Sequence, residues 1–136
     1  MNNEQKEIIE KLKKSIGKEY FIDSCYDIVD EMDMSKNPFM FVEPILEIME
    51  ENPDIEFGNP GPLVHFVERF YKHGYEELLL NSLNRNPTTH TVWMLNRIVN
   101  DPNIVDREKY IKFMKKLLNK RDIDDKVKEA IKLFLS

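Results

Sequence analysis

The feature that most constrains this chain is an apolar pattern of helical period that Gly, Pro and Asn interrupt at short intervals. Its centre is the stretch 57–100, which opens on the turn Gly58-Asn59-Pro60-Gly61-Pro62. Pro62 suits the first turn of a helix, where its missing N–H needs no partner, and Gly74 is expected to end that helix. Between them, one broad apolar face recurs at helical spacing: Leu63, Val64, Phe66, Val67, Phe70 and Tyr71.

The same pattern runs through the rest of the chain and predicts an all-α fold, because no segment shows the alternation typical of strands. We expect about eight helices, over residues 3–16, 20–33, 38–51, 62–73, 75–85, 88–100, 106–119 and 123–135. Short turns between helices favour antiparallel neighbours. We therefore expect 20–33 to pair with 38–51, 62–73 with 75–85, and 88–100 with 106–119. The predicted architecture is an irregular HEAT-like α-solenoid of helical hairpins, with a compact helical bundle as the alternative.

Length and composition indicate one globular helical domain over residues 1–136. The chain is 41% hydrophobic and 33% charged, a balance that argues against disorder. Its polar N-terminus and the lack of a long apolar run predict neither a signal peptide nor a membrane span. A single cysteine, Cys25, excludes an internal disulfide and suits a reducing environment, so we predict a cytoplasmic protein.

Charge is distributed unevenly, although the net value is only −5. Residues 19–56 hold twelve acidic side chains against one lysine, whereas residues 105–136 hold ten basic side chains against six acidic ones. Acids gathered in one block suit a basic protein partner, since they speed its encounter and reject acidic competitors. The simpler alternative is an acidic face that only confers solubility. The basic residues near the C-terminus alternate with acids, so direct binding of nucleic acid is not predicted.

Signatures of catalysis are few. The sequence contains no Gly-rich phosphate loop, no nucleophile elbow and no Cys/His cluster at zinc spacing. Cys25 lies among apolar residues and is interpreted as a core residue. His65 and Glu68 have the i, i+3 spacing found in di-metal bundles, but no second copy is present, so a surface or satisfied histidine is favoured. We therefore predict neither an enzyme nor a bound metal or cofactor.

The helix over 88–100 carries a second stripe besides its apolar face. His90, Trp93, Arg97 and Asn100 follow one another along this stripe, together with Asn96. Aromatic and guanidinium groups of this kind dominate many binding hot spots. The alternative, which the sequence leaves open, is that Trp93 belongs to the core and that the polar residues bind a neighbouring helix.

Two segments, FGNPGPLVHFVERF and NPTTHTVWMLNRI, carry a resemblance, and the stretch 57–98 that contains both covers about a third of the chain. They resemble an all-helical group of small bacterial immunity proteins from polymorphic-toxin and contact-dependent growth inhibition systems. The matching residues are Gly58, Pro60, Gly61, Pro62, Leu63, Val64, His65, Phe66 and Glu68, then Pro87, Thr88, His90, Thr91, Trp93, Met94, Leu95, Asn96 and Arg97. The resemblance implies a protein that binds its cognate toxin one-to-one and blocks it without catalysis.

Together these observations predict an immunity protein that neutralises a basic, nuclease-type toxin through an acidic surface. The alternative is a helical scaffold or adaptor without catalytic activity. No membrane or nucleic-acid partner is predicted, and the oligomeric state is left open. The candidate partner-binding residues are Asp23, Asp27, Glu43, Glu47, Glu50, Glu51, Asp54, Glu56, His65, Arg69, Tyr71, Trp93 and Arg97.

Overall fold

A computed structural model describes residues 2–136, and over these residues the chain is entirely helical apart from its turns and loops. The predicted all-α class with about eight helices is confirmed. The helices are α1 (Asn3–Ser15), α2 (Phe21–Asp33), α3 (Val42–Glu51), α4 (Pro62–Glu68), α5 (Tyr75–Arg85), α6 (Thr89–Val99), α7 (Arg107–Leu117) and α8 (Asp125–Leu135), with a 3₁₀ turn over Pro38–Phe41 before α3. Within this range none of them combines the length and apolar character needed to cross a membrane.

The chain forms two compact units. The first unit ends at Leu78 and the second unit is Leu79–Ser136, so the boundary falls within α5. In the first unit α2 packs on α1 and α4, and α3 packs on α4. In the second unit α6, α7 and α8 pack on one another. The core side chains of α2 and α6 are fully or almost fully buried: Phe21, Cys25, Ile28, Met32, Val92, Met94, Leu95 and Ile98.

Helix pairing in the first unit differs from the expected succession of hairpins. The main neighbours of α2 are α1 and α4, not α3, whereas the expected pairing of α6 with α7 is present in the second unit. The long connection over residues 52–61 explains the difference, because it allows α4 to return onto α2. Phe57 fixes this connection, since its buried ring contacts Phe21 of α2 edge to face at 5.7 Å between centroids.

The turn before α4 has the backbone that its glycines predict. Gly58 and Gly61 adopt φ values of 110° and 93°, which residues with a side chain rarely adopt. The Asn59–Pro60 peptide bond is cis, and Pro62 begins α4 as expected. The turn therefore sets where α4 starts.

Two predicted helices are shorter than their patterns suggested. The segment 62–73 is α-helical only to Glu68, after which the N–H groups of Phe70 and Tyr71 bond three residues back and the helix tightens. Lys72 then adopts a φ of 69°, which ends the helical backbone two residues before Gly74. Likewise, the segment 38–51 opens as the 3₁₀ turn, so Pro44 lies in the first turn of α3 rather than inside a longer helix.

Side-chain caps fix the starts of the C-terminal helices. Thr88 and Thr91 form a reciprocal capping box at α6, with N–H to hydroxyl distances of 3.2 and 3.0 Å. Asp106 accepts the N–H of Lys109 at α7, and Asp124 accepts the N–H of Lys126 at α8. These three caps confirm the predicted helix starts, because each satisfies a backbone donor that would otherwise lack a helical partner.

Candidate protein-interaction surface

The most distinctive surface of the first unit lies on α2, on the side away from the core. Helical spacing brings acidic and large apolar side chains together along this side. We call it the α2 outer face, and its residues are Tyr20, Asp23, Tyr26, Asp27, Asp30 and Met34. All six are exposed, and the four that lie within the helix bounds fall opposite its buried side.

The apolar members of this face are unusually open to solvent. Met34 is 87% exposed, Tyr20 67% and Tyr26 56%. They are three of the five large hydrophobic residues that stand out as exposed within residues 2–136, the others being Val105 and Leu133. A single exposed apolar residue needs no explanation, but three on one helical face between carboxylates indicate a contact surface.

The two units also differ in net charge. The first unit has 18 acidic and 8 basic side chains, a balance of −10, whereas the second has 7 acidic and 12 basic ones, a balance of +5. The predicted acidic block thus lies entirely in the first unit. Within α2, Glu31 is already paired with Lys11, at 2.6 Å from Oε1 to Nζ, and Asp33 is paired with Arg69, so the α2 outer face carries the other three acids of the helix.

The predicted acidic site residues differ in position and in exposure to solvent. Asp23 and Asp27 are brought together on the α2 outer face. Four other predicted acids are exposed on α3 or on the connection after it: Glu43, Glu51, Asp54 and Glu56. Glu47 and Glu50 are only partly exposed. The Oε1 atom of Glu56 accepts the N–H of Gly58 at 3.1 Å, which holds that carboxylate beside the turn.

Arg69 and Tyr71, also predicted to bind a partner, have contacts within the chain. Arg69 pairs with Asp33 at the end of α2, and its guanidinium carbon lies 4.9 Å from the centre of the Phe66 ring. The Nζ atom of Lys72 lies 5.6 Å from the centre of the Tyr71 ring. Arg69 therefore connects the end of α4 to the end of α2.

Trp93 and Arg97 belong to the second unit and are partly exposed, as is His90. The buried side of α6 is formed instead by Val92, Leu95 and Ile98, together with Met94. Trp93 is thus partly buried, neither a fully buried core residue nor a fully exposed one.

The residues that carry the resemblance mainly build the fold. Gly58, Gly61 and Pro62 shape the turn before α4, and Thr88 and Thr91 cap α6. Several others are buried: Leu63, Val64, Phe66, Pro87, Met94 and Leu95. The resemblance therefore concerns helix starts and core packing rather than an exposed contact surface.

Of the six residues on the α2 outer face, only Asp23 and Asp27 were predicted from the sequence as partner-binding residues, whereas Tyr20, Tyr26, Asp30 and Met34 were not. One signal in the sequence could have identified Tyr26. Tyr26 falls within the polar stripe of an amphipathic helix, where a large ring has no core to enter.

Two sets of groups were candidates for catalysis or metal binding, the His65–Glu68 pair and the Cys25 thiol. Nδ1 of His65 lies 3.9 Å from Oε1 of Glu68, and His65 is exposed. Among residues 2–136, no three His, Cys, Asp or Glu side chains come close enough to hold a metal ion. Cys25 is buried as predicted, and this burial raises the pKa of its thiol to about 12, the opposite of what a nucleophilic thiolate requires.

Comparisons of the chain with protein-family models, with curated proteins and with solved structures found no match.

Proposed function

We propose that this protein is a non-catalytic inhibitor that binds a basic protein partner through the α2 outer face. The observation that carries the proposal is the row of exposed Tyr20, Tyr26 and Met34 between the carboxylates of Asp23, Asp27 and Asp30. Tyrosine and methionine are enriched at protein interfaces, where their apolar parts are desolvated on contact.

The two kinds of side chain on this face have separate roles in binding. The tyrosines supply contact area at low cost in conformational entropy, and Met34 adapts to an irregular surface. The carboxylates fix which partner fits, because a basic surface gains attraction there and an acidic one is repelled. The balance of −10 on the first unit extends this selection to long range by steering a basic protein toward it.

We propose further that the partner is a bacterial toxin domain of nuclease type and that the complex is one-to-one. Two observations support this proposal: the resemblance to immunity proteins at residues 57–70 and 86–98, and the acidic character of the first unit. A nuclease that binds a polyanion needs a basic cleft, and an acidic protein can occupy that cleft in place of the phosphates.

The first test is capture of the partner from native cytosol by the tagged chain, followed by washing at high salt. We expect one small basic protein to remain at one-to-one stoichiometry and to be toxic when it is expressed alone. Several weak partners that are lost in the first salt wash would overturn the inhibitor proposal and favour the scaffold alternative.

A matched pair of variants tests the role of the α2 outer face with that captured partner. Neutralising Asp23, Asp27 and Asp30 to Asn should weaken binding at least about tenfold, because contact and steering are both lost. The control neutralises three exposed acids of α1 in the same unit, Glu4, Glu7 and Glu10, to Gln. Since both variants change the net charge equally, the control should weaken binding less than about threefold. Equal losses would refute the assigned contact face.

A further inference from the structure

A cleft opens at the N-terminal end of α2, and we call it the Tyr20 cleft. It has a volume of about 310 Å³. Two chain segments form it, the α1–α2 connection with the first turn of α2 and the middle of the connection before α4. Its lining residues are Gly17, Lys18, Glu19, Tyr20, Phe21, Ile22, Asp23, Ile55 and Glu56.

The core explains why these two segments meet. Phe57 and Phe21 are both buried and their rings are in edge-to-face contact, so the residues just before Phe57 lie against the first turn of α2. Ile55 is held by a backbone hydrogen bond from its N–H to the carbonyl of Asn52, at 3.2 Å. The cleft is therefore a consequence of core packing rather than of a loose loop.

The lining combines three kinds of group. Ile22 and Ile55 are partly exposed aliphatic side chains, and the Tyr20 ring is largely open to solvent. Three carboxylates accompany them, from Glu19, Asp23 and Glu56, against the single ammonium of Lys18. An aliphatic lining, an exposed aromatic ring and excess negative charge match one natural side chain, because arginine has an apolar stem and a planar cation that stacks on rings.

We propose that the Tyr20 cleft binds an arginine side chain of the basic partner, a proposal that rests on the function inferred above. The arginine stem packs on Ile22 and Ile55, and its guanidinium stacks on Tyr20 while pairing with Asp23 and Glu56. Because Oε1 of Glu56 already accepts the N–H of Gly58, that carboxylate is oriented before the partner arrives. Arginine is favoured over lysine, since a compact, strongly hydrated ammonium gains less from an aromatic face.

The test uses the full chain and the peptide acetyl-Gly-Arg-Gly-amide, titrated while backbone amide signals are followed by NMR. We expect saturable shifts confined to residues 18–23 and 55–56. The matched control peptide contains citrulline, which has the same shape without the charge, and it should bind several-fold more weakly. Equal binding of the two peptides, or shifts spread over all exposed acids, would overturn the proposal.

Variants separate stacking from general electrostatics. Tyr20→Leu should weaken the arginine peptide about twofold to fivefold, whereas Tyr20→Phe keeps the ring and should bind normally. Tyr110→Leu removes a partly exposed tyrosine of the second unit and serves as the control, with unchanged binding expected. If the Tyr20→Leu and Tyr110→Leu variants behave alike, the cleft does not stack a guanidinium.

The captured partner distinguishes failure of this proposal from failure of the proposed function. Suppose that the partner binds the Tyr20→Leu and Glu56→Gln variants as tightly as the original chain but no longer binds the triple Asn variant of α2. That result would refute the cleft proposal and leave the inhibitor function standing. Conversely, specific arginine-peptide binding in a chain that captures no basic protein would support the cleft and refute the function.

Discussion

Arg69 and Asp33 form an ion pair that joins the C-terminal ends of α4 and α2. The same guanidinium lies over the ring of Phe66, whose side chain is buried in the first unit. The sequence placed Arg69 among the candidate partner-binding residues. The structure gives it an additional role within the chain, and that role can be measured independently of any partner.

We expect Arg69→Met to lower the free energy of unfolding by about 1 kcal/mol, because it removes a partly exposed ion pair and a cation–π contact. Asp33→Asn removes only the ion pair and should cost less, within about 0.2–1 kcal/mol. A double-mutant cycle from urea unfolding isolates the coupling between the two side chains. Zero coupling would show that the pair contributes nothing to stability.

Gly61→Ala should destabilise the fold by several kcal/mol. A Cβ at this position would overlap the carbonyl oxygen of Phe57 and lie 2.8 Å from the Cα of Gly58, in addition to the strain of a φ of 93°. Gly17→Ala is the matched control, because Gly17 has a similar φ of 82° but open space around a new Cβ. It should cost only about 1–2 kcal/mol. Equal losses in chemical unfolding would contradict the steric argument.

Thr88→Ala should lower stability by about 1–2 kcal/mol, since it removes the acceptor for the N–H of Thr91 in a buried capping box. Thr88→Ser keeps the hydroxyl and should retain most of that stability. Thermal unfolding of the three proteins checks the prediction. A serine variant as unstable as the alanine variant would indicate that the Thr88 methyl group, rather than the cap, stabilises α6.

Cys25 should make stability fall at alkaline pH. Its folded pKa is raised to about 12 by burial, so the unfolded thiol ionises first and the folded state binds more protons. The stabilising effect is complete below the ordinary thiol pKa and is lost as pH rises toward 12. Relative to that of the Cys25→Ala variant, the free energy of unfolding of the original chain should fall by up to about 1.4 kcal/mol per pH unit in this window.

Urea unfolding of both proteins at several pH values above 8 measures this difference. The alanine variant leaves a cavity that lowers its stability by an amount independent of pH, so the slopes rather than the absolute values are compared. The titrations of tyrosine and lysine side chains are common to both proteins, so their effects cancel in the difference between the two slopes. Parallel slopes would mean that the thiol ionises as readily in the folded protein as in the unfolded one.

The sequence alone determined the helical elements and most of their ends. Apolar residues at helical spacing identified all eight helices, and the predicted starts at residues 88 and 106 fall on the capping residues Thr88 and Asp106. These features are local, because a cap or a proline at the first turn acts on backbone groups within four residues of itself. The buried positions Leu63, Val64, Phe66 and Val67 of α4 followed from the same periodicity.

Only the tertiary structure decided which helices pack together and which polar residues are engaged within the chain. Periodicity shows which side of α2 is apolar, but not that α1 and α4 cover it in place of α3. It likewise could not show that Arg69 pairs with Asp33, thirty-six positions earlier, or that Phe57 packs on Phe21 and creates the Tyr20 cleft. Such contacts join residues far apart in sequence, and their geometry is fixed only when the core closes around them.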